Sequence, residues 1–83
     1  MRSAKIGGGA LTPRQLDVVA LLATGMSNQE IGRRLWISAH TVAGHIASVM
    51  AAVGARNRAE LVARCYVAGL LPLSWPPEVS MTR

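Results

Sequence analysis

The sequence predicts an all-α fold, a four-helix bundle that contains a helix-turn-helix. Three observations carry that expectation. First, Thr12, Ser27, Ser38 and Asn57 are helix-start residues, each followed three positions later by a polar side chain, Gln15, Glu30, Thr41 and Glu60. Second, Gly25, Gly54 and Gly69 stand where three of the resulting helices would stop. Third, the run SNQEIGRRLWISAHTVAGHI from Ser27 to Ile46 reads as two short helices joined by a tight corner, with Trp36 and Ile37 filling it.

The elements follow in order. Residues 1–10 end in Gly-Gly-Gly-Ala and read as a flexible lead-in or linker. Helix 1 begins at Thr12, with Pro13 at the first helical position and Gln15 closing a capping box. Val18, Val19, Leu22 and Ala23 then share one face. Helix 2 runs from Asn28 to Leu35, capped by Ser27 with Glu30 as its box partner. Helix 3 runs from Ala39 to Val53. Helix 4 starts after Asn57, with Glu60 as box partner, and continues to about Ala68. Residues 72–83 hold Pro72, Pro76 and Pro77 and read as an irregular tail. No strand alternation is visible. Residues 11–71 are therefore the expected domain.

Composition narrows the function. A chain of 83 residues fits one small domain. No apolar run approaches the ~20 residues of a membrane span, and MRSAKIGGG lacks the apolar stretch of a secretory signal. The single cysteine, Cys65, cannot form an internal disulfide, and no Cys/His spacing suggests zinc. A cytoplasmic protein without a cofactor is expected. Nine Lys/Arg against four Asp/Glu give a formal charge of +5, which favours a polyanionic partner. Two histidines and four scattered carboxylates, Asp17, Glu30, Glu60 and Glu78, supply no constellation for an enzyme.

Helix 3 has two faces. Val42, Ile46, Val49, Met50 and Val53 form an apolar stripe at helical spacing, the expected core side. The opposite side carries His40, Ala43, Gly44, Ala47, Ser48 and Ala51, small residues that permit close approach to a groove or to another helix. Gly44 costs about 1 kcal/mol of helix stability relative to alanine, and close approach is a reason to tolerate it.

Four ordered motifs carry a family resemblance: Leu11-Thr12-Pro13-Arg14, Ser27-Asn28-Gln29-Glu30-Ile31, Ile37-Ser38 with Thr41-Val42 and His45, and Gly54-Ala55-Arg56-Asn57-Arg58. With these motifs at these separations the chain resembles the LuxR/GerE-type DNA-binding domain of bacterial transcription regulators. The resemblance implies double-stranded DNA as partner, helix 3 as the recognition helix, and a homodimer through helix 4 that is weak in isolation. It also implies a sensor or receiver domain in a longer chain. The DNA-binding residues it implies are Ser27, Asn28, Ser38, His40, Thr41, Ala43, Gly44, His45, Ala47, Ser48, Arg56, Asn57 and Arg58. The implied dimer contact is Ala59, Val62, Ala63 and Tyr66.

The chain departs from the family where base reading matters. The family commonly has lysine after the Thr-Val pair, a basic or polar residue four positions later, and a lysine near the end of helix 3. Here these are Ala43, Ala47 and Ala52. Side chains that position the backbone are partly kept while donors to base edges are nearly gone, although alanine can touch thymine methyls. A second function stays open: a protein-interaction module on the same fold, using the alanine-rich face of helix 3. A sigma-factor region 4 domain is disfavoured by Gly-Ala-Arg-Asn-Arg before helix 4.

Several residues have bland readings beside functional ones. His45 lies beside the core stripe and reads as partly buried packing or as a phosphate contact. His40 reads as solvated or DNA-facing. Arg33 and Arg34 read first as a solvated helix face, with a DNA role as the alternative. Arg56 and Arg58 have no core task at a helix start, where the dipole disfavours cations, which points to phosphates. Cys65, one helical step from Leu61, reads as core. Trp36 and Tyr66 read as packing residues, and Trp75 as docking back or contacting a partner.

Overall fold

The computed structural model describes the backbone of residues 4–6 and 9–71 and the side chains of residues 11–71. The proline-containing tail 72–83, with Trp75, lies outside the described residues. The elements are β1 (Ala4–Ile6), β2 (Gly9–Leu11), α1 (Pro13–Ala23), α2 (Asn28–Leu35), α3 (Ala39–Val53) and α4 (Arg58–Val67).

The four helices of the expected all-α fold are present, and each starts where its cap predicts. Thr12 Oγ1 accepts the Gln15 amide at 3.1 Å while Gln15 Oε1 accepts the Thr12 amide at 2.9 Å. Ser27 and Glu30 repeat this box at 3.1 and 2.8 Å. Each pair satisfies two backbone donors that a helix start leaves without partners. At α4 the pattern differs from expectation. Asn57 Oδ1 caps the Glu60 amide at 2.8 Å, but the Glu60 carboxylate takes the amide of Arg56, not of Asn57, at 2.6 Å. The Arg56 guanidinium, 3.4 Å from the same oxygen, adds the attraction that favours this donor.

Residues 1–10 are not wholly an unstructured lead-in. β1 and β2 pair antiparallel, with Ala4 opposite Leu11 and Ile6 opposite Gly9. The two residues between them in sequence are Gly7 and Gly8, a dipeptide that suits two-residue hairpin loops. β2 ends on Leu11, whose buried side chain anchors the ribbon on the helical core beside α3. A three-residue strand is too short to show alternation, so the sequence pattern hides it.

The core is one cluster drawn from every helix. Val18, Val19 and Leu22 of α1, Ile31 of α2, Val42, Ile46, Val49 and Val53 of α3, and Leu61 and Cys65 of α4 are buried together with Leu11 and Leu71. Each fully buried Val, Leu or Ile contributes about 1.5–3 kcal/mol. Met50 is half-buried at the edge, so the α3 stripe expected from spacing is the core side.

The corner between α2 and α3 turns the chain by 106°, within the range of helix-turn-helix pairs. Two features make it. A Cβ on Gly32 would lie 2.5 Å from the Ile37 carbonyl oxygen, so the corner closes against α2 only because that position is bare. The Gly32 carbonyl then accepts the amides of both Trp36 and Ile37. Trp36 closes the helix in the left-handed conformation, φ 63° and ψ 41°, at a cost of about 1–2 kcal/mol for a residue with a Cβ. Trp36 does not fill the corner as expected. Its side chain is 92% exposed, because the left-handed turn swings it outward, and Ile37 alone packs inward.

Candidate nucleic-acid interface

The caps and the 106° corner present one side of α3 to solvent. His40, Thr41, Ala43, Gly44, Ala47 and Ser48 are all exposed, and His45 is half-buried beside the core stripe. The exposed surface is smooth: a Cβ on Gly44 would meet no atom within 4 Å. Apart from His40 at its first turn, it presents alanine, glycine and hydroxyls.

The start of α3 is a small hydroxyl network. Ser38 Oγ accepts the Thr41 amide and donates to Thr41 Oγ1, both at 2.9 Å. Thr41 Oγ1 therefore accepts internally and keeps its own proton for an outside acceptor. The helix dipole places partial positive charge at the same end.

A second group of polar residues lies around the starts of α2 and α4. Arg58 Nη1 donates to Asn28 Oδ1 at 2.8 Å, and Nη2 to the Met26 carbonyl at 3.5 Å. These bonds bring a guanidinium to the N-terminus of α2, where Ser27 and Glu30 complete the box. Arg58 thus has a structural partner that sequence reasoning did not assign, and it stays exposed. Arg56 is exposed and paired with Glu60. Asn57 is exposed, with its carbonyl oxygen committed to the cap. Glu60 explains how the Arg56 cation is tolerated before this helix start, and the same carboxylate lies 3.6 Å from Arg64 one turn further on.

The amides that hold Glu30 and Glu60 lower their pKa values. The Ser27 backbone and hydroxyl keep the Glu30 carboxyl below the usual value of 4.5. The backbone of Arg56, followed by its guanidinium, does the same for Glu60. Burial pushes the Cys65 thiol upward, away from the reactive thiolate. Among the described residues no cluster of His, Cys, Asp or Glu could hold a metal ion.

Of the residues expected on a dimer surface, Ala59 and Ala63 are exposed on α4. Val62 and Tyr66 are half-buried and pack partly on the core, so they do not lie wholly on the far side of the helix. Val67, which the sequence reading passed over, is 90% exposed one helical step beyond Ala63. The outward strip of α4 is therefore Ala59, Ala63 and Val67. Its period of four was the signal that could have found it.

Comparison with known proteins bears on this arrangement. The family described as bacterial regulatory proteins of the luxR family matches residues 9–65. A protein of Mycobacterium tuberculosis named as an HTH-type transcriptional regulator is 45% identical over 56 residues, 68% of this chain and 6% of the relative. Oxygen regulatory protein NreC of Staphylococcus aureus is 36% identical over 52 residues, 63% of this chain and 24% of that protein. The chain thus spans a small part of the length of these relatives. Among solved structures, the transcription factor GerE superposes with a TM-score of 0.72 at 30% identity, over 76% of this chain and 94% of that one. VqmA of Vibrio cholera, solved as a complex with ligand and DNA, superposes with a TM-score of 0.70 at 28% identity, over 84% of this chain and 31% of that one.

Proposed function

Since this chain belongs to the luxR family of bacterial regulatory proteins, we propose that it is the DNA-binding domain of a cytoplasmic bacterial transcription regulator, and not an enzyme. It docks α3 in the major groove and holds the duplex mainly through phosphates. The observation that carries this reading is the exposed small-residue side of α3 beyond the 106° corner. A bare helix can enter a groove closely, and the first helix of such a pair crosses the backbone.

The proposed phosphate contacts are Thr41, Ser38, His40 and His45 on α3, Ser27 and Asn28 at the start of α2, and Arg56, Asn57 and Arg58 before α4. Backbone amides at the helix starts add to them. Ala43, Gly44, Ala47 and Ser48 face the bases. With no long donor among them, the bidentate pairs that discriminate bases by about 1–3 kcal/mol each cannot form. The isolated domain is therefore a weak discriminator, near the bottom of the ~10³–10⁷ range of specificity ratios. Two copies pair through the outer strip of α4, weakly in isolation, and an input domain in a longer chain controls them.

The test is a salt titration of binding to a random duplex and to a selected pool. Affinity falls with a log–log slope of roughly −0.9 per neutralised phosphate. Absence of binding at low salt overturns the reading. A long, well-defined consensus from the selection overturns the low-specificity part of it.

A further inference from the structure

We propose that Trp36 and Arg33 form a second, sequence-independent DNA contact, in which the cleft between them and the start of α3 seats one sugar–phosphate strand at the edge of the major groove. The proposal rests on the reading of α3 as the groove-docking helix and adds residues which that reading does not use.

Three observations support it. Trp36 is 92% exposed in a left-handed backbone conformation that disfavours bulky residues. Glycine or asparagine would close the same corner with less strain, and strained, exposed residues cluster at functional sites. Arg33 and Arg34 are exposed, and among the described residues neither has a carboxylate within 4 Å. The carboxylate nearest to them in sequence, Glu30, has one oxygen taken by the Ser27 amide and feels the Arg33 charge without forming an ion pair with it. Finally, an open cleft of about 610 Å³ runs from Gln29 and Arg33 past Trp36 to Ser38 and Ala39, so it meets the first turn of α3.

The chemistry matches a nucleic-acid backbone. When a recognition helix lies in the groove, the helix before it crosses the phosphates, and this cleft lies between those two helices. A guanidinium binds phosphate oxygens in a fork. The indole offers one N–H donor for a phosphate and a flat apolar surface for a deoxyribose. Gln29, Arg33 and Ser38 set one cation and two polar groups beside an apolar floor of Gly32, Trp36, Ile37 and Ala39, a mixed lining that suits a sugar–phosphate strand, whose deoxyribose is apolar and whose phosphate is anionic. The contact also supplies a cation on the α2 side, where α3 itself has none at Ala43, Ala47 and Ala52.

The experiment uses the whole chain with Trp75→Phe, so that Trp36 is the only tryptophan. Titration with a random-sequence duplex at low salt should change Trp36 emission in step with binding. Trp36→Ala should weaken binding to random and selected duplexes alike by about 3–10-fold, the size of one net hydrogen bond, with Trp36→Phe in between. Arg33→Gln should reduce the magnitude of the salt slope by ~0.9. Melting curves should show the variants folded, since both side chains are exposed. Unchanged emission with equal affinity of Trp36→Ala, while the parent chain still binds DNA, overturns the proposal. Quenching by polyglutamate without any response to DNA also overturns it and assigns the surface to an acidic protein. A parent chain that binds no duplex overturns the docking reading beneath it.

Discussion

Arg58 and Asn28 lie thirty residues apart in sequence and are joined by a 2.8 Å hydrogen bond that ties the start of α4 to the start of α2. On the proposed DNA-binding reading the guanidinium has two duties, holding two helix starts together and offering charge to a phosphate. Asn28→Ala removes the tie and keeps the charge, so the salt slope of DNA binding should stay constant. Arg58→Ala should reduce the magnitude of that slope by ~0.9 and weaken binding to all sequences alike. Parallel salt titrations of the two variants separate the duties.

Gly32 offers a sharper test of the corner. Alanine gains about 1 kcal/mol of intrinsic helix propensity over glycine, yet here its Cβ would press on the Ile37 carbonyl. Overpacking against backbone costs about 1–3 kcal/mol. Gly32→Ala should lower the melting temperature, since ~1 kcal/mol shifts a domain of this size by about 4–8 °C. A rise in melting temperature would show that the corner has room to move.

Ala43 is exposed and carries no core duty. Ala43→Lys should strengthen DNA binding, steepen the salt slope by ~0.9 and favour half-sites containing guanine, whose O6 and N7 accept from lysine. If α3 instead docked on a protein, the lysine would weaken that contact and leave DNA binding unchanged. Binding curves on duplexes with and without guanine in the half-site decide.

Val67 is the exposed apolar end of the outer strip of α4. Val67→Glu should lower cooperativity on a duplex with two half-sites and leave single half-site binding intact, because a two-fold contact places the two charges near each other. This position is a cleaner probe than Val62, which packs partly on the core. Equal cooperativity of variant and parent removes the α4 contact.

Glu30 and Glu60 predict the acid limb of stability. Both carboxyls titrate lower in the folded chain than their ordinary value of 4.5, through the amides of Ser27 and Arg56 respectively. The unfolded chain takes up protons first, so the contribution is fully present above pH 4.5 and disappears as the pH falls through the depressed folded value. Glu30→Gln and Glu60→Gln should flatten melting temperature against pH in that window, by lowering it at neutral pH, where the contribution is present, and leaving it little changed below the depressed folded value. A limb unaltered by both substitutions would place the acid sensitivity elsewhere.

Much of the fold was legible because its signals are local. A cap needs one side chain and the amide three residues on, so Thr12, Ser27, Ser38 and Asn57 could be read directly from the chain. The apolar stripe of α3 was legible for a similar reason, since a helix fixes which residues share a face. What escaped depends on distant partners. Trp36 looks like a core residue by composition, and only the close approach of Ile37 to Gly32 decides that it turns outward. The Arg58–Asn28 bond joins positions that no periodicity connects. The ribbon at Ala4–Ile6 and Gly9–Leu11 is too short to leave a pattern. The proposed site is legible through its motifs, while for Arg33 and Arg34 along α2 composition alone favours ordinary solvated surface over a DNA role.

Cys65 is the only sulfhydryl of the chain, completely buried against α4's neighbours. It cannot meet a labelling reagent until the bundle opens, so one covalent tag per molecule counts openings. The labelling rate under native conditions then reads the opening equilibrium without denaturant. Repeated with DNA present, the same clock measures how far a bound duplex holds the domain shut, since a ligand that binds only the folded form slows labelling in proportion to its occupancy.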